Sequence, residues 1–238
     1  MNTLHSGTQG SGAPAAAAAP PGAHAGGAAP LGGSRLLRGS KRAVDILMAG
    51  TFFVCFGWAY ALIWAGVLLT SGSPAIYMQP RYGRNGKVFR FYKFRTMVPD
   101  ADAVLARHLR ENEDARREWH KFQKLEHDPR ITRLGAFLRK YSIDEFPQFW
   151  NVLKGDMSMV GPRPCMFAQK GLYGPYWHHY CAVRPGITGL WQISGRNEVS
   201  YRRRAAMDAE YVATLSVLGD MAIVLKTFGV VAGARGSR

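Results

Sequence analysis

Two carboxylates stand side by side in Tyr141-Ser-Ile-Asp-Glu-Phe-Pro147, at Asp144 and Glu145. Adjacent carboxylates repel, and a magnesium ion would relieve that repulsion while bridging diphosphate oxygens. One carboxylate could then attack a phosphorus atom while its neighbour binds the metal. A second account needs no chemistry. Ser142 and Glu145 have the S-x-x-E spacing of a capping box, and Pro147 suits a helix start with Asp144 as the N-cap. Spacing alone favours capping, and both readings stay open at this level.

Basic residues in loops form the second constellation. Lys93 and Arg95 lie in Tyr-Lys-Phe-Arg-Thr, Arg139 shortly before the acidic pair, and Arg163 in Gly161-Pro-Arg-Pro164. Arg184 and Arg196 bracket a Gly/Pro-rich run, RPGITGLWQISGRN. Arginines held by Pro and Gly suit bidentate contact with phosphate oxygens. The alternative is simple solvation. With 31 Lys+Arg against 16 Asp+Glu, a net charge of +15, many of them face water or anionic lipid. Neither a P-loop nor a dinucleotide fingerprint is present.

The elements that must position these groups follow from composition along the chain. At 47% hydrophobic and 12% aromatic, the protein as a whole is not disordered. Three cysteines, odd in number and without metal-like spacing, argue against a disulfide scaffold or zinc module. Residues 1–40 read as a disordered Ala/Gly/Pro-rich lead-in, with no Lys, Arg, Asp or Glu before residue 35. Residues 41–80 read as a membrane-inserted helix or hairpin, and 81–238 as a cytoplasmic catalytic domain. Ile46–Thr70 is free of charge and as a straight helix spans about 37 Å, more than a hydrocarbon core. Basic residues flank it on both sides: Arg35, Arg38, Lys41 and Arg42 before, Arg81, Arg84, Lys87 and Arg90 after. A re-entrant hairpin bending near Gly57-Trp58-Ala59 keeps both flanks in the cytoplasm, whereas a spanning helix exports one.

Beyond the apolar segment, Lys87–Met97 alternates as a half-buried strand does, and Asp100–Gln123 reads as one long charged helix. Phe146, Phe149, Trp150 and Leu153 form a helical stripe. Gly155–Pro164 and Arg184–Gly195 read as loops, and about Val217–Val231 as a final apolar helix. The fold class expected is mostly α with minor β. A hydrophobic N-terminal helix, re-entrant or spanning, precedes a compact cytoplasmic domain with interfacial helices.

Taken in order, KRAVDILMAG, FYKFRTM, DPRITRLGAFLRKYSIDEFPQFWNVLKGDMSMVGPRP and RPGITGLWQISGRN, followed by Asp208-x-x-Tyr211, resemble the monotopic phosphoglycosyl transferases. These bacterial sugar transferases start exopolysaccharide assembly on a polyprenyl carrier, and the resemblance covers about residues 41–235. It implies that a hexose-1-phosphate passes from a UDP-sugar to undecaprenyl phosphate, with release of UMP, at the bacterial inner membrane. Asp144 would be the nucleophile, and Glu145 with Asp144 would hold Mg2+. Lys93, Arg95, Arg139 and Arg163 match phosphate-binding positions, Asp208 matches a further acidic position, and Arg184 and Arg196 bracket a matching string. Many members of that family break the membrane helix with a Ser-Pro pair, whereas Ile46–Thr70 contains no proline. A nucleic-acid partner is not expected, because the basic residues are dispersed around an acidic pair; a membrane-tethered nucleic-acid binder and an inactive polysaccharide scaffold are the alternatives. Homo-oligomerisation stays open.

Overall fold

The computed structural model describes residues 32–122, 124–194 and 199–232, and is mostly helical with two small sheets. The expected lead-in falls mainly on residues 1–31, outside the described residues. Helix α1 (Arg35–Ser71) starts before the expected boundary at 41, because the Ser34 hydroxyl accepts the Leu37 N–H at 3.2 Å. α1 runs unbroken through Gly57-Trp58-Ala59, where the hairpin reading puts a bend. No proline interrupts its hydrogen-bond ladder there, and its length is about 55 Å.

The way α1 is held explains the motif Lys41-Arg42-x-x-Asp45. Lys41 pairs with Asp220 and donates to the Val160 carbonyl at 2.9 Å. Arg42 donates to the carbonyls of Val152 and Leu153 at 2.6 and 2.9 Å. Buried Asp45 accepts from the Ser158 hydroxyl at 3.0 Å and the Met159 N–H at 2.9 Å. Two residues of the basic flank are thus turned towards the protein, where a carboxylate and the carbonyls at the end of a helix accept their bonds. At the far end Val67 is buried with Ala75, Phe94 and Leu138, and the rings of Tyr60 and Phe94 meet at 5.0 Å. Both ends of α1 therefore pack on one folded domain, while Val54, Phe56, Trp58, Leu62 and Leu69 between them are exposed.

Strands β1 (Ile76–Tyr82) and β2 (Val88–Phe94) form an antiparallel hairpin with Ile76 opposite Phe94 and Tyr82 opposite Val88. Its turn uses Asn85 and Gly86 at φ 59° and 70°, a backbone that Asn-Gly adopts readily. The long charged helix expected over 100–123 is in fact two, α2 (Ala101–Glu111) and α3 (Glu113–Phe122). They part at Asn112, whose backbone is extended and whose side chain accepts the Ala115 N–H at 3.0 Å as a fresh cap. α4 (Arg133–Lys140), capped by Thr132, and α5 (Gln148–Lys154) follow.

The two stretches read as loops contain a parallel pair, β3 (Ser158–Val160) and, after α6 (Lys170–Tyr173) and α7 (Trp177–Ala182), β4 (Gly186–Thr188). Their glycines serve close approach: a Cβ on Gly186 would lie 2.1 Å from the Gly161 nitrogen. α8 (Leu190–Ile193), α9 (Tyr201–Ala213) and α10 (Val217–Ala232) complete the domain. Phe91, Val152, Met157, Val160, Val212 and Ile223 form its main core, closed on one side by Ala49 of α1.

Candidate active site

Ser142 has φ 57° and ψ 22°, the left-handed region, and throws the chain into a 3-10 turn, Ile143–Glu145. An N-cap needs extended backbone, so the Ser142 hydroxyl makes no capping bond, and Asp144 sits inside the turn rather than at a helix start. The capping account of the acidic pair is thereby corrected. Pro147 precedes α5, and both carboxylates are left for other partners.

Those partners are cations. The Lys93 ammonium on β2 donates to Asp144 Oδ2 at 3.2 Å and to Glu145 Oε1 at 2.9 Å. Arg163 adds a bond to Glu145 Oε1 at 3.0 Å. Burial alone would raise both carboxyl pKa values, but at Glu145 the two cations win and hold it down at about 2. At Asp144 burial wins: its pKa is raised, with Lys93 opposing and the Glu145 charge adding to the rise. One carboxyl group is firmly ionised, and its neighbour is desolvated with a single lysine partner.

The lysine is positioned from behind by a residue that the sequence reading misses. Asn151, fully buried on α5, accepts the Tyr92 N–H at 3.1 Å and donates to the Arg90 carbonyl at 2.7 Å. The strand carrying Lys93 is thereby pinned to the helix that follows the acidic pair. Of the apolar stripe, Phe149 and Leu153 pack against the main core and Phe146 beside Phe94, each only partly buried; Phe149 also stacks on Phe52 of α1 at 3.8 Å, and Trp150 is exposed. The buried face of α5 is instead Gln148, Asn151 and Val152. Its only advance signal is a polar residue within an aromatic stretch.

The pair opens on a cleft of about 1040 Å³ that runs from Arg95, Thr96 and Arg139 to Trp191, Val224 and Phe228. Lys93, Arg95, Arg139, Asp144, Glu145 and Arg163 all line it. Arg139 donates to the Thr96 hydroxyl at 2.8 Å, and Arg95 to the Ser73 carbonyl at 2.9 Å. α4 can bring Arg139 this close because Gly135 lies against the strand end, where a Cβ would sit 2.1 Å from the Thr96 oxygen. Asp208 lies outside that lining, buried and accepting the Tyr173 hydroxyl at 2.9 Å; burial pushes its carboxyl up to about 7 against that bond. Arg184 is apart from the cleft, with its Nε donating to the Gly155 carbonyl at 2.7 Å. Arg196 lies outside the described residues. Tyr173, Tyr201 and Arg81 line the cleft without having been singled out as site residues from sequence.

Among the described residues no group of three or more His, Cys, Asp or Glu could hold a metal ion. Two adjacent carboxylates fit magnesium only in the manner of phosphate-transfer sites, where substrate oxygens and water complete the shell. With that limit the donor chemistry of Asp144 and Glu145 is suitable.

Comparison with known proteins matches residues 36–234 to the family described as bacterial sugar transferase. The exopolysaccharide production protein ExoY of Rhizobium meliloti is 46% identical over 198 residues, which cover 83% of this chain and 88% of that protein. The undecaprenyl-phosphate galactose phosphotransferase of Salmonella typhimurium is 45% identical over 197 residues, 83% of this chain and 41% of its own length. The UDP-glucose:undecaprenyl-phosphate glucose-1-phosphate transferase of Escherichia coli is 39% identical over 205 residues, 82% of this chain and 40% of its own. The chain thus matches nearly the whole of one relative and about two fifths of the other two. With its acidic pair, basic cleft and apolar first helix all inside the matched span, the chain belongs to the bacterial sugar transferase family.

Proposed function

We propose that this protein transfers a hexose 1-phosphate from a UDP-sugar to undecaprenyl phosphate, releasing UMP, as a first step of exopolysaccharide synthesis. The observation that carries the reading is the unequal sharing of cations between Asp144 and Glu145. Glu145, with two cations, keeps its charge and stays in place. Asp144, desolvated and held by Lys93 alone, is the more reactive carboxylate. Its oxygen attacks the sugar-bearing phosphorus of the diphosphate, and the bond from that phosphorus to the bridging oxygen breaks. UMP leaves with the bridging oxygen, and an aspartyl phosphate-linked sugar remains. A phosphate oxygen of undecaprenyl phosphate then attacks the same phosphorus, and the Asp144 carboxylate is the leaving group. Lys93, Arg95, Arg139 and Arg163 surround the charge that the phosphates carry. Magnesium bound by Glu145 and Asp144 would offset the diphosphate charge.

The membrane arrangement follows from α1. A helix that crossed the bilayer would separate its two ends, yet Asp45 and Val67 pack on the same domain. This supports an unbent helix that lies in the cytoplasmic leaflet of the inner membrane without crossing it, with the cleft at headgroup level. Cysteines introduced at positions 38 and 84 should both be labelled from the cytoplasm, and labelling from opposite sides would overturn the arrangement.

The chemistry is tested with a panel of UDP-sugars and magnesium. Without acceptor, the wild type should release one UMP per protein and retain labelled sugar phosphate. Asp144→Asn should do neither. UMP release that requires acceptor, or an active Asp144→Asn, would refute the covalent route.

A further inference from the structure

Arg81 sits on β1 opposite Phe89 and lines the cleft, though it entered the sequence reading only as part of a basic flank. Its guanidinium lies over the Phe91 ring at 5.3 Å, and the Lys93 ammonium stands over the same ring at 5.8 Å. Its Nη1 donates to the Pro164 carbonyl at 3.1 Å, next to Arg163, and its Nη2 to Gln79 Oε1 at 2.6 Å. The group is therefore fixed in direction, one ring away from Lys93 and one residue away from Arg163.

Its bonding is incomplete. Lys93 and Arg163 are committed to Glu145, and Arg130 to Asp128. Arg81 forms no salt bridge among the described residues, and its Nε is buried without an acceptor. A buried donor without an acceptor is costly, and a cationic one the more so. Burial and the neighbouring Arg163 charge both lower the affinity of Arg81 for its proton, so an anion placed there would relieve both. A guanidinium stacked on an aromatic ring and held by two bonds has little freedom left to lose when it binds a planar or tetrahedral anion.

The geometry points to Arg81 as a phosphate-binding residue of the cleft, which holds a phosphate oxygen of the nucleotide or of the lipid acceptor. This rests on the reading of the cleft as a phosphoryl-transfer site. Because Lys93 and Arg163 are already paired with protein carboxylates, Arg81 brings a positive charge that no carboxylate among the described residues pairs with.

The test uses the full chain in detergent micelles, with Asp144→Asn as the background so that nothing turns over. Binding of UMP, of uridine and of undecaprenyl phosphate is measured for Arg81, Arg81→Lys and Arg81→Met forms, each checked by thermal unfolding. Arg81→Met should weaken either UMP or undecaprenyl phosphate at least tenfold, and the ligand affected identifies the source of the phosphate. Uridine affinity should not change. Arg81→Lys, which keeps charge but loses the fork, should weaken the same ligand about threefold or more, and it decides the matter if Arg81→Met does not fold. Unchanged binding of both phosphates by the folded variants would overturn the assignment. Failure of the parent form to bind either phosphate would instead count against the phosphoryl-transfer reading itself.

Discussion

Replacing Lys93 by Met removes the one positive group that Asp144 touches and leaves two neighbouring carboxylates with Arg163 alone. At 3.2 Å and an effective dielectric near 20, the attraction between Lys93 and Asp144 is on the order of 5 kcal/mol. The lysine side chain is 24% exposed, so screening by water reduces this to roughly 2–3 kcal/mol. At about 1.4 kcal/mol per pKa unit, the Asp144 pKa should rise by about 2 units above its already raised position. The sign is fixed: a nucleophile that stays protonated to higher pH moves the acidic limb of kcat/KM upward. The assay is UMP release between pH 5 and 9 for wild type, Lys93→Met and Lys93→Arg. Lys93→Met should show the limb displaced by about 2 pH units, whatever its amplitude, while Lys93→Arg keeps the charge and should leave it in place. If turnover is too slow, single-turnover labelling of Asp144 against pH reads the same limb. An acidic limb that stays where the wild type has it would refute the electrostatic argument.

Asp208 titrates near 7 in the fold, against an ordinary value of 3.8. The folded state therefore binds the proton more tightly, and stability should fall as pH rises from about 4 through 7, by on the order of 4 kcal/mol. Asp208→Asn should flatten that slope in thermal unfolding. Ser142→Gly should raise Tm by about 1–3 °C, because glycine tolerates positive φ, whereas Ser142→Val should misplace Asp144 and cut UMP release at least tenfold. Asp45→Ala leaves the buried Met159 N–H without its acceptor and should lower stability by about 1–3 kcal/mol, read as a drop in Tm, with Asp45→Asn recovering part.

What was legible in the sequence was local. The charge-free run became α1, the alternation around Lys93 became β2, and the acidic pair lies in the cleft beside that lysine. What escaped depends on residues far apart in the chain. β3 and β4 pair in parallel across two short helices, and glycines needed for their close approach read as loop residues instead. Asn85-Gly86 was a hairpin signal in plain view. Asn151 and Asp45 lie inside quoted strings, but their roles could not be read there, because those roles exist only once β2 and β3 lie beside them. The capping pattern at Ser142 misled for a related reason: S-x-x-E spacing says nothing about whether the backbone turns left-handed first.

Helix α1 leaves the ribosome long before its partners do. Asp45 waits for Ser158, 113 residues later, and Lys41 for Asp220, 179 residues later. At roughly 5–20 residues per second, that is an interval of several seconds or more during which a long apolar helix has only lipid to shelter it. Under the proposed membrane arrangement, the bilayer is a folding partner for this enzyme before it is a workplace. A chain made without access to membrane should aggregate through α1, and deleting α1 to obtain a soluble domain should take Ala49 and Val67 out of two cores that nothing else fills.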